Sequence, residues 1–352
     1  MATFSSENIC IKGISCCLPK NKELNSEIIN MTSEEKVKFI NTTGVEERRI
    51  ANDQICASDL CLTAAEDIIK KLNWNKADIQ ILIFVSQTSD YILPNTSTIL
   101  QDKLGLEKTC IAFDLTLGCS GYVYGLSVIN SLMQTSGIKK GLLLAGDTIS
   151  KIISNNDKST YPLFGDAGSA TALELIPNSN TKLYFDLGSD GSGFQTIIIP
   201  DGGARNRINN ESLEDKETEI GIKKNSTQLT LEGMDVFSFG INQVPKTVNH
   251  LLTTFNIEKD TIDYFVFHQA NLMMNKMISK KLKISPEKVP YSLKKYGNTS
   301  SATIPLTIVS ELKEKIEKKE SNILFCGFGV GLSWGSIYIQ NSTIDELSII
   351  EI

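Results

Sequence analysis

The chain has 352 residues, 41% of them apolar, enough for one large domain or two of ordinary size around a substantial core. Its 41 acidic residues outnumber 35 lysines and arginines, and a net charge of −6 argues against a general binder of nucleic acid or anionic membranes, which reward a basic surface. The opening MATFSSENICIKGI has no charged segment followed by a long apolar core, and no run reaches membrane-spanning length, so a cytoplasmic location is expected.

Short apolar blocks ending in polar or glycine-rich turns predict strands at 79–85, 110–113, 141–145, 170–175, 264–267, 323–326 and 336–339. Helical spacing follows most of them, over 97–104, 120–133, 272–282 and 301–316. Strands alternating with helices predict an α/β fold with parallel sheets covered on both faces. Two regions overlay in the same order. DIQILIFVSQTS, CIAFDLTLGCSGYVYGLSVINSLM and GLLLAGD correspond to TIDYFVFHQAN, VPYSLKKYGNTSSATIPLTIVSELK and NILFCGFG. The chain therefore reads as two duplicated halves, residues 1–175 and 176–352. A polar, exposed insertion at about 200–227 decorates the second.

In this overlay Cys119 and Asn298 occupy matching strand-to-helix turns, and His268 ends the first strand of the second copy. Ligands bind at the carboxyl ends of such strands, so the three side chains are expected to face one crevice. A thiol at a helix start is favoured as thiolate by the dipole and by free N–H groups, with Gly118 and Gly121 keeping its approach open. Each residue also has a plain structural reading: a small buried cysteine, a satisfied core histidine, a capping asparagine. The three types together change the balance, because a cysteine nucleophile needs groups that polarise a carbonyl and hold an oxyanion.

The other cysteines, at 10, 16, 17, 56, 61, 110 and 326, show no repeated spacing and imply no disulfide framework. There is no CxxC, and the two histidines, His250 and His268, have no cysteine nearby, so no metal site is expected. The loops FGDAGSATAL and CGFGVGLSWGS lack the phosphate-loop pattern and are read as places of close backbone approach, the second supplying oxyanion donors.

In chain order, TGVEERRIA, FDLTLGCSGYVYGL, LFGDAGSA, LTLEGMDVF, FVFHQAN, YGNTSSATIPL and FGVGLSWGS resemble the β-ketoacyl-acyl carrier protein synthase III family of thiolase-like condensing enzymes. The resemblance covers nearly the whole chain. It implies a five-layered αβαβα thiolase-like fold, a homodimer and no cofactor. The implied activity is that of an acyltransferase of fatty acid biosynthesis. Cys119 accepts an acyl group from a thioester, and His268 and Asn298 act on a malonyl thioester in a decarboxylating Claisen condensation. Backbone N–H groups of Cys119 and Val330 form the oxyanion hole, and Leu93 reaches the acyl pocket of the partner subunit.

Where the family carries a tryptophan and arginines for a coenzyme A nucleotide, this chain has Lys36, Lys38, Phe39, Thr42 and Lys158. A donor carried by an acyl carrier protein thereby gains ground over one carried by coenzyme A. Lys276, Lys280 and Lys281, on the helix after HQAN, are the candidate docking cations for an acidic carrier protein, beside Met273 where the family has arginine. Three other readings stand beside the main one: a specialised acyltransferase of the same fold serving natural-product or surface-polysaccharide synthesis, a cysteine hydrolase, and a non-catalytic acyl-binding relative.

Overall fold

A computed structural model describes residues 2–352, apart from the side chain of Ser136. In chain order the main strands are β1 (Ala2–Glu7), β2 (Ile9–Leu18), β3 (Ile79–Val85), β4 (Ile111–Leu115), β5 (Lys140–Asp147), β6 (Ala167–Leu175), β7 (Lys182–Ser189), β8 (Tyr264–Phe267), β9 (Glu320–Gly329), β10 (Ser333–Thr343) and β11 (Glu346–Glu351). The helices that matter are α1 (Ser33–Thr43), α2 (Ala57–Lys71), α3 (Thr96–Lys103), α4 (Gly121–Ser136), α5 (Gly233–Thr254), α6 (Leu272–Leu282), α7 (Leu293–Tyr296) and α8 (Thr303–Thr307).

Two sheets carry the fold. One runs β11-β2-β6-β5-β3-β4 and the other β1-β7-β10-β9-β8. Strand β3, IQILIFV, is buried at every position but Gln80, as a strand covered on both faces must be. Helix α4, GYVYGLSVINSLMQTS, is apolar nearly all round because it lies between the sheets, touching β5 and β3 on one side and β9 and β10 on the other. With α8 it fills the central core, where Val85, Tyr122, Leu126, Phe185, Ile304 and Phe325 meet. Helices α2 and α3 cover the outer face of the first sheet, and α5 and α6 that of the second. The five layers are thus helix, sheet, helix, sheet, helix, the expected αβαβα architecture.

Three local expectations fail. The sheets are mixed: β5 and β6 pair antiparallel, as do β9 and β10, because neither connection contains a crossover helix. The second copy also lacks its middle strand, since Leu293–Tyr296 coils into the short α7. The long helix predicted over 301–316 is broken into a 3-10 turn at Ser300–Ala302, then α8, then a π-turn at Ile308–Leu312. Pro305 has no N–H to donate and is best tolerated in the first turn of a helix, and the helical run restarts just before it.

The insertion is mostly exposed and ends in a hairpin of Lys216–Glu219 with Ile222–Lys224. That hairpin is docked on the loop before Lys158, through the Ile222–Asp157 bridge and a 2.6 Å bond from Ser154 Oγ to the Lys223 carbonyl. The chain ends are exchanged between the halves. N-terminal β1 pairs with β7 in the second sheet, and C-terminal β11 pairs with β2 in the first. Among the described residues no helix is long and apolar enough to cross a membrane.

Candidate active site

The carboxyl ends of β4 and β8 and the turn before α8 converge on a cavity of about 250 Å³ lined by Cys119, His268 and Asn298. Cys119 and His268 come from the expected strand ends, whereas Asn298 follows the short α7 rather than a strand. Its floor and one wall are apolar, with Ile149, Phe164, Ile197, Leu229 and Phe328 among the lining side chains. Such a chamber suits an apolar group held beside the thiol.

Cys119 sits in the turn that opens α4. Its approach is not cleared by Gly118 and Gly121, as the sequence suggested. A Cβ on Gly118 would lie 2.1 Å from Gln87 Oε1, and one on Gly121 would lie 2.4 Å from Val85, so these glycines let the turn pack onto β3. The glycine that faces the thiol is Gly329, whose added Cβ would lie 2.6 Å from Cys119 Cβ and 3.1 Å from Sγ. The expected thiolate is also corrected. Burial, then the nearby Asp147 carboxylate, pushes the thiol up to about 12, against the opposing pull of the Ser300 side chain and the N–H groups of Cys119 and Val330. The resting group is a neutral thiol with two backbone donors bearing on its sulfur.

His268 continues β8 by donating its N–H to the Cys326 carbonyl at 2.8 Å. Its ring is 1% exposed, stands edge-on to Phe328 at 5.4 Å, and places Nδ1 2.7 Å from Thr303 Oγ1. Burial lowers the ring to about 3, opposed by the Ser300 carbonyl, so the imidazole is neutral near pH 7. It can give or take one hydrogen bond but carries no charge.

Asn298 is held from both sides. Its backbone N–H donates to the Leu163 carbonyl at 2.9 Å, and its carbonyl accepts from Gly165 at 3.1 Å. That 163–165 segment is itself gripped by the fully buried Arg48, which donates to the carbonyls of Tyr161 (2.7 Å) and Phe164 (3.1 Å). The Asn298 side-chain Oδ1 accepts the Ser300 N–H at 2.9 Å, which fixes the amide orientation and leaves its NH2 group as the free donor.

Asp147, buried at the end of β5, is a residue to which the sequence alone assigns no role. It accepts from the Gln87 N–H (2.7 Å), the Ser86 hydroxyl (3.1 Å), and the Ser301 N–H (3.1 Å) and hydroxyl (2.7 Å). One carboxylate thus ties the first sheet to the turn carrying Asn298. A charged residue closing the apolar strand GLLLAGD was the available signal.

Of the remaining candidates, Val330 lines the cavity and Leu93 does not; Leu93 lies 83% exposed beside Tyr91 and Ile92. Lys276 and Lys280 are exposed on α6. Lys281 turns back onto α5, donating to the Ile241 carbonyl (3.0 Å) and Asn242 Oδ1 (2.9 Å). Lys158 forms a 2.7 Å ion pair with Glu35, the residue whose other oxygen closes the α1 capping box on Thr32. That contact and the capping bonds hold the Glu35 carboxyl down at about 2.

The sequence profile of 3-oxoacyl-[acyl-carrier-protein (ACP)] synthase III matches residues 113–191, and the profile of its C-terminal region matches residues 252–341. A β-ketoacyl-[acyl-carrier-protein] synthase III of Clostridioides difficile is 34% identical over 94% of this chain and 97% of its own. A putative 3-oxoacyl-[acyl-carrier-protein] synthase 3 of Campylobacter jejuni is 34% identical over 94% of this chain and 93% of its own. The crystal structure of a 3-oxoacyl-(acyl-carrier protein) synthase from Burkholderia xenovorans superposes with a TM-score of 0.93 at 38% identity, covering 100% of this chain and 99% of that one. With a third of its residues shared along nearly its whole length, and the same fold throughout, the chain belongs to the 3-oxoacyl-[acyl-carrier-protein] synthase III family.

Proposed function

We propose that this protein is an acyltransferase of fatty acid biosynthesis that joins an acyl group to a malonyl-derived unit by decarboxylating Claisen condensation through an acyl-cysteine. The observation that carries this reading is the convergence of Cys119, His268 and Asn298 on one largely apolar cavity.

In the first stage the Cys119 sulfur attacks the carbonyl of an acyl thioester. A new S–C bond forms, the donor's S–C bond breaks, and the thiol proton leaves overall with the departing thiolate. The N–H groups of Cys119 and Val330 hold the oxyanion; support comes from their bearing on the sulfur. Because the thiol is neutral at rest, attack and loss of its proton are coupled. In the second stage the bond between the malonyl α-carbon and its carboxylate breaks, releasing carbon dioxide and leaving its electron pair as an enolate. The Asn298 NH2 group and His268 donate to the enolate oxygen. The carbanion then attacks the acyl carbonyl, the C–C bond forms, and Cys119 leaves and is reprotonated. A neutral imidazole and an amide suit this stage, since neither protonates the carbanion before it reacts.

The malonyl donor, and by the same docking the acyl donor, arrives on an acyl carrier protein, with Lys276 and Lys280 as docking cations supported by their exposure beside the cavity residues Asn271 and Met274. For coenzyme A the mouth is less suited, because Lys158 is already paired with Glu35. The working form is a homodimer in which Leu93 of one subunit enters the acyl pocket of the other. The exposed apolar run Tyr91, Ile92 and Leu93 and the open edge of β4 support this. The eight free cysteines fit a reducing cytoplasm.

Incubation with acyl thioesters should add the acyl mass to Cys119, and Cys119→Ala should remove that product. Acylation at another residue, or none with any coenzyme A or carrier-protein donor, sinks the assignment. His268→Ala and Asn298→Ala should slow malonyl decarboxylation more than self-acylation; the reverse order sinks theirs.

A further inference from the structure

A neutral imidazole has one proton for two nitrogens, and which nitrogen holds it is set by what the other one meets. In His268 the cavity-facing reaction and the buried contact therefore compete for a single proton. The buried contact is Thr303: His268 Nδ1 lies 2.7 Å from its Oγ1, which also lies 3.0 Å from the Ser300 carbonyl. Two arrangements satisfy these distances. In one, Nδ1–H donates to Oγ1 and the hydroxyl donates to Ser300, leaving Nε2 a bare acceptor. In the other, the hydroxyl donates to Nδ1 and Nε2 carries the N–H.

The second arrangement leaves the Ser300 carbonyl paired. The Ser300 carbonyl already accepts the backbone N–H of Thr303, so it does not need the hydroxyl proton. Thr303 is also held in place, being β-branched, fully buried and bonded through its own carbonyl to the Thr307 hydroxyl at 2.8 Å. The Asn298 amide is turned with its NH2 group free, so a second donor beside it completes a site for one oxygen of growing negative charge.

We propose that Thr303 is a positioning residue that sets the tautomer of His268, giving its hydroxyl proton to Nδ1 so that Nε2–H faces the cavity. Its catalytic consequence rests on the reading that His268 donates to the enolate; the tautomer itself does not.

The chain has two histidines, so protein labelled with ¹⁵N-histidine gives two ring systems by NMR, and the pair lost in His250→Gln identifies the other as His268. In ligand-free wild type the His268 resonances should be those of the Nε2–H form. Thr303→Val should reduce that population and slow malonyl decarboxylation roughly 10- to 100-fold, the usual range for loss of an orienting partner, with Cys119 self-acylation little changed. Thr303→Ser should restore both. An Nδ1–H ring in the wild type overturns the proposal without any variant, as does an unchanged tautomer in a folded Thr303→Val protein. The Nε2–H form in a wild type that never decarboxylates a malonyl thioester supports the tautomer assignment and sinks the proposed function instead.

Discussion

Replacing Gly329 by alanine puts a methyl carbon 2.6 Å from Cys119 Cβ and 3.1 Å from its sulfur. Carbon atoms in contact settle at about 3.5–4.0 Å, so roughly 1 Å of overlap has to be relieved. Cys119 has little room to retreat. The position of a Cβ on Gly327 lies 3.0 Å from the Cys119 carbonyl oxygen, and the turn is backed by Gln87 at Gly118 and by Val85 at Gly121. Overpacking of this kind costs about 1–3 kcal/mol. Displacing a nucleophile by about 1 Å costs on the order of 100-fold in rate. Gly329→Ala should therefore lower the urea midpoint modestly and slow acylation of Cys119 far more, read by intact mass after timed exposure to an acyl thioester. Acylation at the wild-type rate with an unchanged midpoint would refute the claim that this glycine exists to let β9 pass the thiol.

Alkylation of Cys119 by iodoacetamide in ligand-free protein should rise roughly tenfold per pH unit from pH 7 to 10, because the thiolate is the reactive form of a group pushed up to about 12; a plateau below pH 9 contradicts this. His268, held down at about 3, should make stability fall as pH drops from about 6.5 towards 3. In that window the unfolded chain binds a proton that the folded ring refuses, a contribution of up to about 1.4 kcal/mol per pH unit. His268→Asn should flatten this limb in urea titrations, and an equally steep limb would show that other groups carry it. Helix α1 buries no residue and depends on its Thr32/Glu35 capping box, so Thr32→Ala should destabilise it by about 0.5–2 kcal/mol. Hydrogen exchange of the α1 amides should register this with little change in the global midpoint; unchanged exchange would count against the box.

Cys119 and His268 were legible because they stand just beyond strand ends, where a short apolar block stops and a reactive side chain follows. Asn298 follows the short α7 and was legible only through the overlay of the two regions, and the cavity receives all three. What surrounds them was not. Asp147, Thr303 and Gly329 act through contacts with residues 35 or more positions away in the chain, and no local pattern announces such a partner. The expected thiolate failed on magnitude. A helix terminus is worth about 0.3–1 kcal/mol, too little against the burial that carries this thiol from 9 to about 12. The parallel sheets failed on connection length: only three residues, Val330 to Leu332, separate β9 from β10, and that permits a hairpin alone. Lys281 was named for its place on the helix after HQAN, which does not reveal the carbonyl of a neighbouring helix that the ammonium finds.

The exchange of chain ends bears on how the protein is made. During synthesis residues 1–175 emerge with five of the strands of the first sheet, but the sixth, β11, follows every other strand of the fold. Strand β1, in turn, waits for a partner, β7, more than 170 residues downstream. Neither half can close early. Until β10 and β11 arrive, the second sheet is incomplete and the outer edge of β2 stands open. Such an order favours folding as a single late event over maturation of one sheet and then the other, and a chain lacking β11 exposes an aggregation-prone strand edge.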